Sequence, residues 1–167
     1  MHRILLLTVA LAVIATGCKV SIGGGDAKSG VEEAITEKAA EQLVGFDVTG
    51  TNCPEDASTD EGSTFECTVK VNGQDLTVEV VGEGGTRFSF DQKDAILDLA
   101  KAEETFTKQF SEQLGSAVTV SCDPPQVRVI PVGGTVNCTV TDGNGTTAVV
   151  EMTVQDADGN VDAQILG

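Results

Sequence analysis

The chain has 167 residues, with 26 acidic and 10 basic side chains, and its formal net charge is −16. A charge this negative argues against nucleic acid as a partner, because nucleic-acid binding depends on cationic contacts to phosphate. The single histidine is His2, and tryptophan and tyrosine are absent, so the usual aromatic platforms for stacking sugars and bases are missing as well.

The first residues are typical of an export signal. A basic start at Arg3 is followed by an uncharged apolar stretch and then by small residues before Cys18, which predicts a secretory signal peptide over residues 1–17. The apolar stretch is too short for a transmembrane helix, which needs about 20 apolar residues. The sequence Ala-Thr-Gly-Cys at residues 15–18 resembles the lipobox of bacterial lipoproteins, which implies that the Cys18 thiol is acylated and that the signal is cut before it.

Lipid on Cys18 would hold the protein on the extracytoplasmic face of the cell membrane. The alternative is an ordinary secreted protein in which Cys18 only lies close to the cut site. Residues 18–30 are rich in Gly and Ser and are predicted to form a flexible tether, with a typical end-to-end span of about 20 Å. The folded part is then expected to be held near the membrane but free to tumble.

The rest of the chain contains an internal repeat. The stretch Gly62–Val69 recurs as Gly133–Val140, and several shorter matches follow nearly the same spacing. Matches in order and in register indicate a duplication. The predicted modules are residues 31–91 and 92–167.

Each module is predicted to begin with an amphipathic helix, because apolar residues recur on one helical face over Val31–Leu43 and over Asp94–Leu114. Four strands should follow in each module, separated by turns rich in Gly, Asn and Asp. The predicted strands are Phe46–Cys53, Ser63–Val71, Asp75–Val81 and Thr86–Asp91, then Ala117–Cys122, Thr135–Thr141, Thr146–Gln155 and Asn160–Leu166. This order predicts an α+β fold, in which each helix packs on one face of a four-stranded antiparallel sheet.

The five cysteines comprise one candidate lipid site and two predicted disulfides. Cys53 and Cys67 both lie inside the first module, and Cys122 and Cys138 lie at a similar spacing inside the second. A module that was copied whole should carry its own bond, so the duplication favours Cys53–Cys67 and Cys122–Cys138 among the three possible connectivities. Export places such pairs in an oxidising setting, and closing a loop of this size stabilises a small domain by about 3 kcal/mol. Cys18 is left without a partner, which fits its predicted lipidation.

A family resemblance rests on these cysteines. A strand ending in Cys-Pro or nearly so, a loop, the pattern Gly-x-x-Φ-x-Cys (Φ apolar) and valine-rich hairpins resemble the DUF4333 family, domains of unknown function in actinobacterial envelope lipoproteins. The first module carries Cys53-Pro54, whereas the second departs from the pattern with Cys122-Asp123-Pro124 and a longer loop. The resemblance covers both modules and implies two tandem copies of the domain. It implies no catalytic residues, because the family has none assigned.

The mature chain lacks common catalytic and metal-binding groups. Without His2 it has no Ser-His or Cys-His pair for nucleophilic catalysis and no histidine ligand, and no cofactor is predicted. The weak candidate for a cation site is the set Asp156, Asp158, Asn160 and Asp162, whose side-chain oxygens alternate as in calcium loops. An Asp-Gly hairpin turn explains the same residues and is the favoured interpretation.

These observations predict a protein-binding or envelope-accessory module that is not an enzyme, and they leave the protein partner unidentified. The surfaces expected to bind are the loops between the cysteines, around Pro54–Glu61 and Pro124–Val132. The alternative is a carrier that holds an apolar or lipid ligand between helix and sheet. A filled interior would favour the binding module, whereas a continuous apolar cavity on the order of several hundred Å³ would favour the carrier.

Overall fold

The computed structural model describes residues 18–21 and 26–166, which divide between Asp94 and Ala95 into two compact units. We call residues 18–94 the first module and residues 95–166 the second module. The signal peptide predicted over residues 1–17 lies outside the described residues. The fold is α+β, as predicted, and the described part of the chain contains two helices and mostly antiparallel sheets.

The first module consists of one helix and a five-stranded antiparallel sheet. Its elements are β1 (Cys18–Ser21), α1 (Ala27–Gln42), β2 (Val48–Asn52), β3 (Thr64–Val71), β4 (Gln74–Gly84) and β5 (Arg87–Gln92). The strands lie in the order β1-β5-β4-β3-β2. Four of the five strands correspond to the predicted ones, and β1 is an addition.

Alternation along the strands builds the core of the first module. Leu76, Val78 and Val80 of β4 are buried, and the residues between them are half-buried, because successive side chains of a strand point to opposite faces. Phe88 and Phe90 of β5 are buried in the same core, with ring centroids 6.4 Å apart. The apolar face of the sheet is therefore the face that α1 covers.

Helix α1 begins four residues before its predicted start. The N-cap residue is Asp26, whose carboxylate accepts a hydrogen bond from the Ser29 N–H at 3.4 Å and so satisfies one donor of the first turn. The buried residues Val31, Ile35 and Ala39 are spaced by four and share one face of the helix. The predicted tether was expected to extend to residue 30. This is wrong from Asp26 onward, because that aspartate caps the helix within the Gly/Ser-rich stretch.

The start of the predicted tether also has regular structure. Strand β1 joins the edge of β5, with Cys18 opposite Phe90 and Val20 opposite Phe88. The Lys19 ammonium lies 3.2 Å from a carboxylate oxygen of Glu83. A four-residue strand has too few residues to show a period in the sequence, and the sheet edge that it joins supplies its stability.

The second module has a helix and two sheets. Its elements are β6 (Asp94–Asp98), which starts at the boundary, α2 (Leu99–Leu114), β7 (Val118–Cys122), β8 (Val127–Pro131), β9 (Thr135–Asp142), β10 (Thr147–Val154) and β11 (Val161–Leu166). A four-stranded sheet has the order β11-β10-β9-β7, and β6 pairs with β8 in a two-stranded sheet. The predicted layout of one helix on a four-stranded sheet is therefore matched only roughly.

The predicted second helix is too long at its start. Residues 94–98 form β6, and Asp98 caps α2 by accepting the Lys101 N–H at 3.2 Å. A short apolar run fits a strand as well as a helical stripe, so periodicity alone placed Ile96 in the helix. The second helix ends as predicted, at Gly115, whose left-handed backbone (φ 63°) favours glycine.

Candidate functional site

Both predicted disulfides are present. Cys53–Cys67 joins the residue after β2 to β3, and Cys122–Cys138 joins β7 to β9, with Cα–Cα distances of 4.3 and 4.1 Å. Cys122 lies directly opposite Cys138 in the strand register. All four cysteines are at most 5% exposed, so the two bonds are structural cross-links within the cores.

A glutamate from each helix binds the backbone beside each disulfide. The Glu32 carboxylate accepts the N–H of Cys53 at 2.8 Å, and the Glu103 carboxylate accepts the N–H of Cys122 at 2.6 Å. Glu32 and Glu103 occupy equivalent positions of the repeat, since the interval between them equals that between the first residues of the two matching stretches. The helix of each module thus holds the first half-cystine through the same contact.

A threonine one helical turn later extends this contact. The Thr36 hydroxyl lies 2.8 Å from the Thr51 hydroxyl, and the Thr107 hydroxyl accepts the N–H of Val120 at 3.0 Å. The Glu-x-x-x-Thr pattern of both helices was visible in the sequence at equivalent positions of the repeat. It was missed because polar residues of an amphipathic helix are normally assigned to the solvent face.

An open groove lies between α1 and β2 of the first module, with a volume of about 620 Å³. We call it the acidic groove. Its lining is polar and consists of Ser29, Glu32, Glu33, Thr36, Glu37, Gly50 and Thr51. The lining contains three carboxylates, of which Glu32 also lies 3.9 Å from the Lys28 ammonium. The exposed Glu33 and Glu37 give the groove a field that attracts cationic groups.

A second open depression of about 500 Å³ continues from the acidic groove across β2 and β3. The two share Gly50 and Thr51. Gly50 lies at an irregularity in the pairing of β2 with β3, and a Cβ placed there would meet no atom within 4 Å. The absent side chain keeps the floor continuous between the two depressions. The second one contains an ion pair between Lys70 and Asp75, at 2.5 Å.

The charge of the acidic groove is not repeated in the second module. In the aligned repeat, Glu104 occupies the position of Glu33, but Lys108 occupies the position of Glu37. The groove is therefore a property of the first module and not of the shared scaffold.

The predicted binding loop at Pro54–Glu61 is tied to the rest of the first module. Glu55 forms an ion pair with Lys28 of α1, and this hydrogen bond raises the pKa of Lys28 above its ordinary value. The buried Thr59 donates a hydrogen bond to the carbonyl of Gly85 at 2.6 Å. These contacts hold the loop against α1 and the β4–β5 turn.

The predicted binding loop at Pro124–Val132 is mostly a strand. It contains β8, in which Ile130 is buried. The Arg128 guanidinium donates hydrogen bonds to the carbonyls of Asp123 at 2.6 Å and Pro124 at 3.1 Å. The expectation of a loop is wrong over Val127–Pro131, because pairing with β6 makes this segment a strand.

The candidate cation residues form a turn. The Asp156 carboxylate accepts the Asn160 backbone N–H at 3.1 Å and the Asn160 side-chain amide at 2.7 Å. These bonds, the side-chain bond foremost, lower the pKa of Asp156. Among the described residues, no three His, Cys, Asp or Glu side chains are grouped so that they could hold a metal ion. The hairpin-turn interpretation of Asp156, Asp158, Asn160 and Asp162 accounts for the observed bonds.

The space between helix and sheet in the second module is filled. The cavity found between α2 and strands β10 and β11 has a volume of only about 10 Å³. The lining includes Ala102 and Phe106 of α2, Met152 of β10 and Val161 of β11. This volume is at the threshold for holding a single water molecule and is far below that of an apolar ligand pocket.

The predicted lipid site lies at the beginning of β1, where the structure describes the Cys18 backbone opposite Phe90. Within residues 18–21 and 26–166, no helix is both long enough and apolar enough to cross a membrane.

The sequence matches the family described as "Domain of unknown function (DUF4333)" twice, over residues 9–85 and 84–159. The chain belongs to the DUF4333 family. It carries two tandem copies of the domain, as the resemblance implied. No curated protein and no solved structure matches the chain.

The two DUF4333 copies share a turn as well as a disulfide. Before β3, the Gly62 N–H binds the carbonyl of Gly82 at 3.0 Å, and before β9, the Gly133 N–H binds the carbonyl of Val154 at 2.8 Å. Gly62 and Gly133 have φ values of 82° and 84°, which explains the glycine at both positions. The repeated glycine of the DUF4333 pattern therefore shapes the turn that leads into the second cysteine strand.

Proposed function

We propose that this DUF4333 protein is a lipid-anchored, extracytoplasmic module that binds another protein and is not an enzyme. The observation that carries the proposal is the filled interior of the second module, whose cavity of about 10 Å³ leaves no room for an apolar ligand. Carriers need pockets of roughly 300–1,000 Å³. In the first module, Val31 and Ile35 of α1 are fully buried, so side chains occupy the space between helix and sheet there as well. Binding is therefore assigned to the outer surface.

The acidic groove is the surface we assign to the partner. Glu33 and Glu37 are exposed along one side of it, whereas Glu32 is engaged with Cys53. Two exposed carboxylates one helical turn apart suit a segment that carries Lys or Arg. The expected partner is a protein with a basic segment.

The location of the charge supports a protein partner over the membrane itself. Residues 31–91 contain 14 acidic and 3 basic side chains, and an anionic membrane surface repels such a module. Lipid on Cys18 would supply the membrane attachment that the charge opposes. The acidic groove would then remain open to a partner in the envelope.

Local hydrogen bonds and ion pairs explain the shifted pKa values of Lys28, Asp142 and Asp156, and no catalytic role is needed to account for them. Lys28 bonds to Glu55, and Asp142 and Asp156 each accept hydrogen bonds within a turn. Each of these contacts holds a helix end, a loop or a hairpin. Their perturbed pKa values therefore have structural causes.

The groove is tested by cross-linking in membranes with the intact protein, followed by recovery of the cross-linked partner. Reversing two charges with Glu33→Lys and Glu37→Lys should weaken capture by roughly tenfold, since each exposed ion pair contributes up to about 1 kcal/mol. The matched control reverses two exposed charges on α2, with Glu104→Lys and Glu112→Lys, and should leave capture unchanged. Equal loss in both double variants would assign the effect to net charge and overturn the groove as the binding surface.

The anchor has its own test. Cys18→Ser should move the protein from the membrane fraction to the soluble extracytoplasmic fraction, as followed by fractionation and mass spectrometry of the mature N-terminus. A variant that stays with the membrane after cleavage at the same site would refute lipid attachment through Cys18.

A further inference from the structure

Three of the four outer edges of the two larger sheets are protected against the addition of another strand. Strand β1 is only four residues long and carries Lys19, both of which are common protections of sheet edges. Beside β2, α1 packs against the strand, and its Glu32 occupies the N–H of Cys53, the residue that follows β2. On β7, side chains of α2 accept alternate N–H groups: Ser111 that of Val118, Thr107 that of Val120 and Glu103 that of Cys122.

Strand β11 lacks these protections. Among the described residues it pairs with β10 and forms the outer edge of its sheet. It is six residues long, its register shows no bulge, and it contains no Lys, Arg or Pro. Ile165 and Leu166 are 47% and 40% exposed at its end. A flat strand edge of this kind is a template for pairing with another strand.

The repeat shows what is missing at this edge. The shared turn makes Gly82 of β4 equivalent to Val154 of β10. Because Gly82 pairs with Phe88 and Val154 pairs with Val161, β11 is the counterpart of β5. In the first module the edge of β5 is covered by β1. The described part of the second module has no strand in the corresponding place.

The free backbone groups of β11 follow from the ladder. The Gln155 N–H donates to the carbonyl of Asn160 at 2.8 Å, and hydrogen-bonded pairs alternate along an antiparallel ladder. The N–H and C=O groups of Asp162 and Gln164 therefore face β10. Those of Val161, Ala163 and Ile165 face outward.

We infer that β11 pairs with β11 of a second copy of this chain, antiparallel about a two-fold axis at Ala163, so that two four-stranded sheets become one. In this register Ala163 lies opposite itself, and Val161 lies opposite Ile165 of the other copy. The pairing makes about six backbone hydrogen bonds. It also covers the half-exposed Ile165 with an apolar β-branched neighbour, a favourable cross-strand pair.

The strand's own sequence favours a second copy over a basic partner. Asp162 is its single charged residue, and the two-fold register places it opposite Gln164 of the other copy. The Gln164 amide can donate to that carboxylate, and no two carboxylates of β11 lie directly opposite each other. A basic strand would find only one carboxylate to bind. From Val161 to Ile165, a second copy matches apolar to apolar and acid to amide.

The association is expected to be weak, because a single strand edge buries far less than the roughly 1,200 Å² of a stable interface. Sedimentation equilibrium of residues 18–167 carrying Cys18→Ser, which needs no detergent because the lipid site and the apolar signal are both absent, should show its mass rising toward that of a dimer with concentration. Ile165→Pro removes an outward N–H that β10 does not use, and it should weaken association at least tenfold. A Cys18→Ser chain with no further substitution that stays monomeric over the whole concentration range overturns the inference.

The matched control is Val132→Pro. Val132 is an exposed apolar residue of the same module, 50% exposed, at the second position of the turn closed by the bond from Gly134 N–H to Pro131 carbonyl, where proline is well tolerated. Association should be unchanged in this variant. Equal weakening in both variants would contradict pairing through β11. Circular dichroism and the unfolding midpoint show whether each variant is folded.

Disulfide trapping tests the register. Opposed residues of a non-hydrogen-bonded pair lie about 4.5 Å apart at Cα, which a disulfide spans. A mixture of chains carrying Asp162→Cys and chains carrying Gln164→Cys should therefore cross-link on mild oxidation. Gln164→Cys chains alone should not, since their Cα atoms would lie about 7–8 Å apart on the diagonal. Efficient cross-linking of Gln164→Cys alone, without the mixed product, overturns the proposed pairing.

Discussion

At the scale of single residues, one glutamate in each helix links helix, strand and disulfide. Glu32 and Glu103 accept the N–H groups of Cys53 and Cys122, which sit at the edge of each sheet and have no strand partner there. A half-buried N–H without an acceptor is costly, so the carboxylate stabilises the edge strand and orients the half-cystine. The sequence shows the acid but not its target, because the target is set by how the helix packs.

Replacing Glu103 tests this contact. Glu103→Ala should lower the free energy of unfolding by about 1.5–3 kcal/mol, the range for a hydrogen bond to a charged group. Denaturation by guanidinium should be followed by far-UV circular dichroism, because the chain lacks tryptophan and tyrosine. The neighbouring exposed Glu104→Ala is the control and should change stability by less than about 0.5 kcal/mol. Similar losses in both variants would argue against a specific role for Glu103.

The hydrogen bonds of Asp142 in its hairpin turn predict that folding stability depends on pH in the acid range. Its carboxylate accepts the Thr146 and Asn144 N–H groups, both at 2.8 Å, and the Thr146 bond is the main cause that lowers the pKa of Asp142 below its ordinary 3.8. A lowered folded-state pKa adds stability above 3.8 that is lost as the pH falls through the folded value. Asp142→Ala should therefore be less stable than wild type at pH 6, and the difference should shrink below pH 3.8.

The control for this effect is Asp158→Ala, at an exposed position in the other hairpin turn of the module. Unfolding midpoints measured from pH 6 down to pH 2.5 should show little difference between Asp158→Ala and wild type. A stability gap for Asp142→Ala that stays constant across this range would mean that the carboxylate charge is not involved.

At the scale of elements, the sequence correctly predicted the helix ends, strands and disulfides that local sequence patterns determine. The paired cysteines, the strands from β2 to β5 and the end of α2 at Gly115 follow from alternation, turn residues and a glycine cap. Strands β1, β6 and β8 were missed. Each is only four or five residues long and exists because another strand lies beside it, which no short stretch of sequence reports.

The disulfides are expected to determine the stability of the elements that they join. Replacing Cys122 and Cys138 together by Ala should lower the unfolding free energy of the second module by about 3 kcal/mol, as expected for a closed loop of this size. Replacing Cys53 and Cys67 together should do the same in the first module. Protein mass spectrometry without reduction would confirm that the remaining bond is intact. A double variant with wild-type stability would show that the bond is dispensable.

At the scale of the whole molecule, duplication supplied two scaffolds with different surfaces. The disulfide, the glutamate contact and the glycine turn recur in both modules, whereas the acidic groove and the open β11 edge each occur in one. The repeat was readable from the sequence because it preserves spacing. The acidic groove and the open β11 edge could not be predicted from the sequence, since each depends on which element covers a helix face or a strand edge.

Independent folding of the modules follows from this organisation. Residues 18–94 and residues 95–167, produced separately under oxidising conditions, should each unfold cooperatively, because each contains its own core and its own disulfide. The boundary predicted at residue 92 would leave Asp94 in the second fragment and remove its bond to the Thr77 N–H at 2.8 Å. A first fragment ending at residue 91 should therefore be less stable than one ending at residue 94. Equal stability would show that this bond contributes nothing.

Strand β1 has a consequence for where a partner can be captured. A fully flexible tether over residues 18–30 would let the first module move within a layer about 20 Å deep above the bilayer. Because Cys18 itself pairs with Phe90 in the sheet, no flexible linker separates the proposed lipid site from the folded module. The capture radius is then set by the dimensions of the folded module alone. If Cys18 carries lipid as proposed, a partner has to come to the membrane surface, and inserting flexible residues directly after Cys18 would enlarge the volume searched without altering the binding surface.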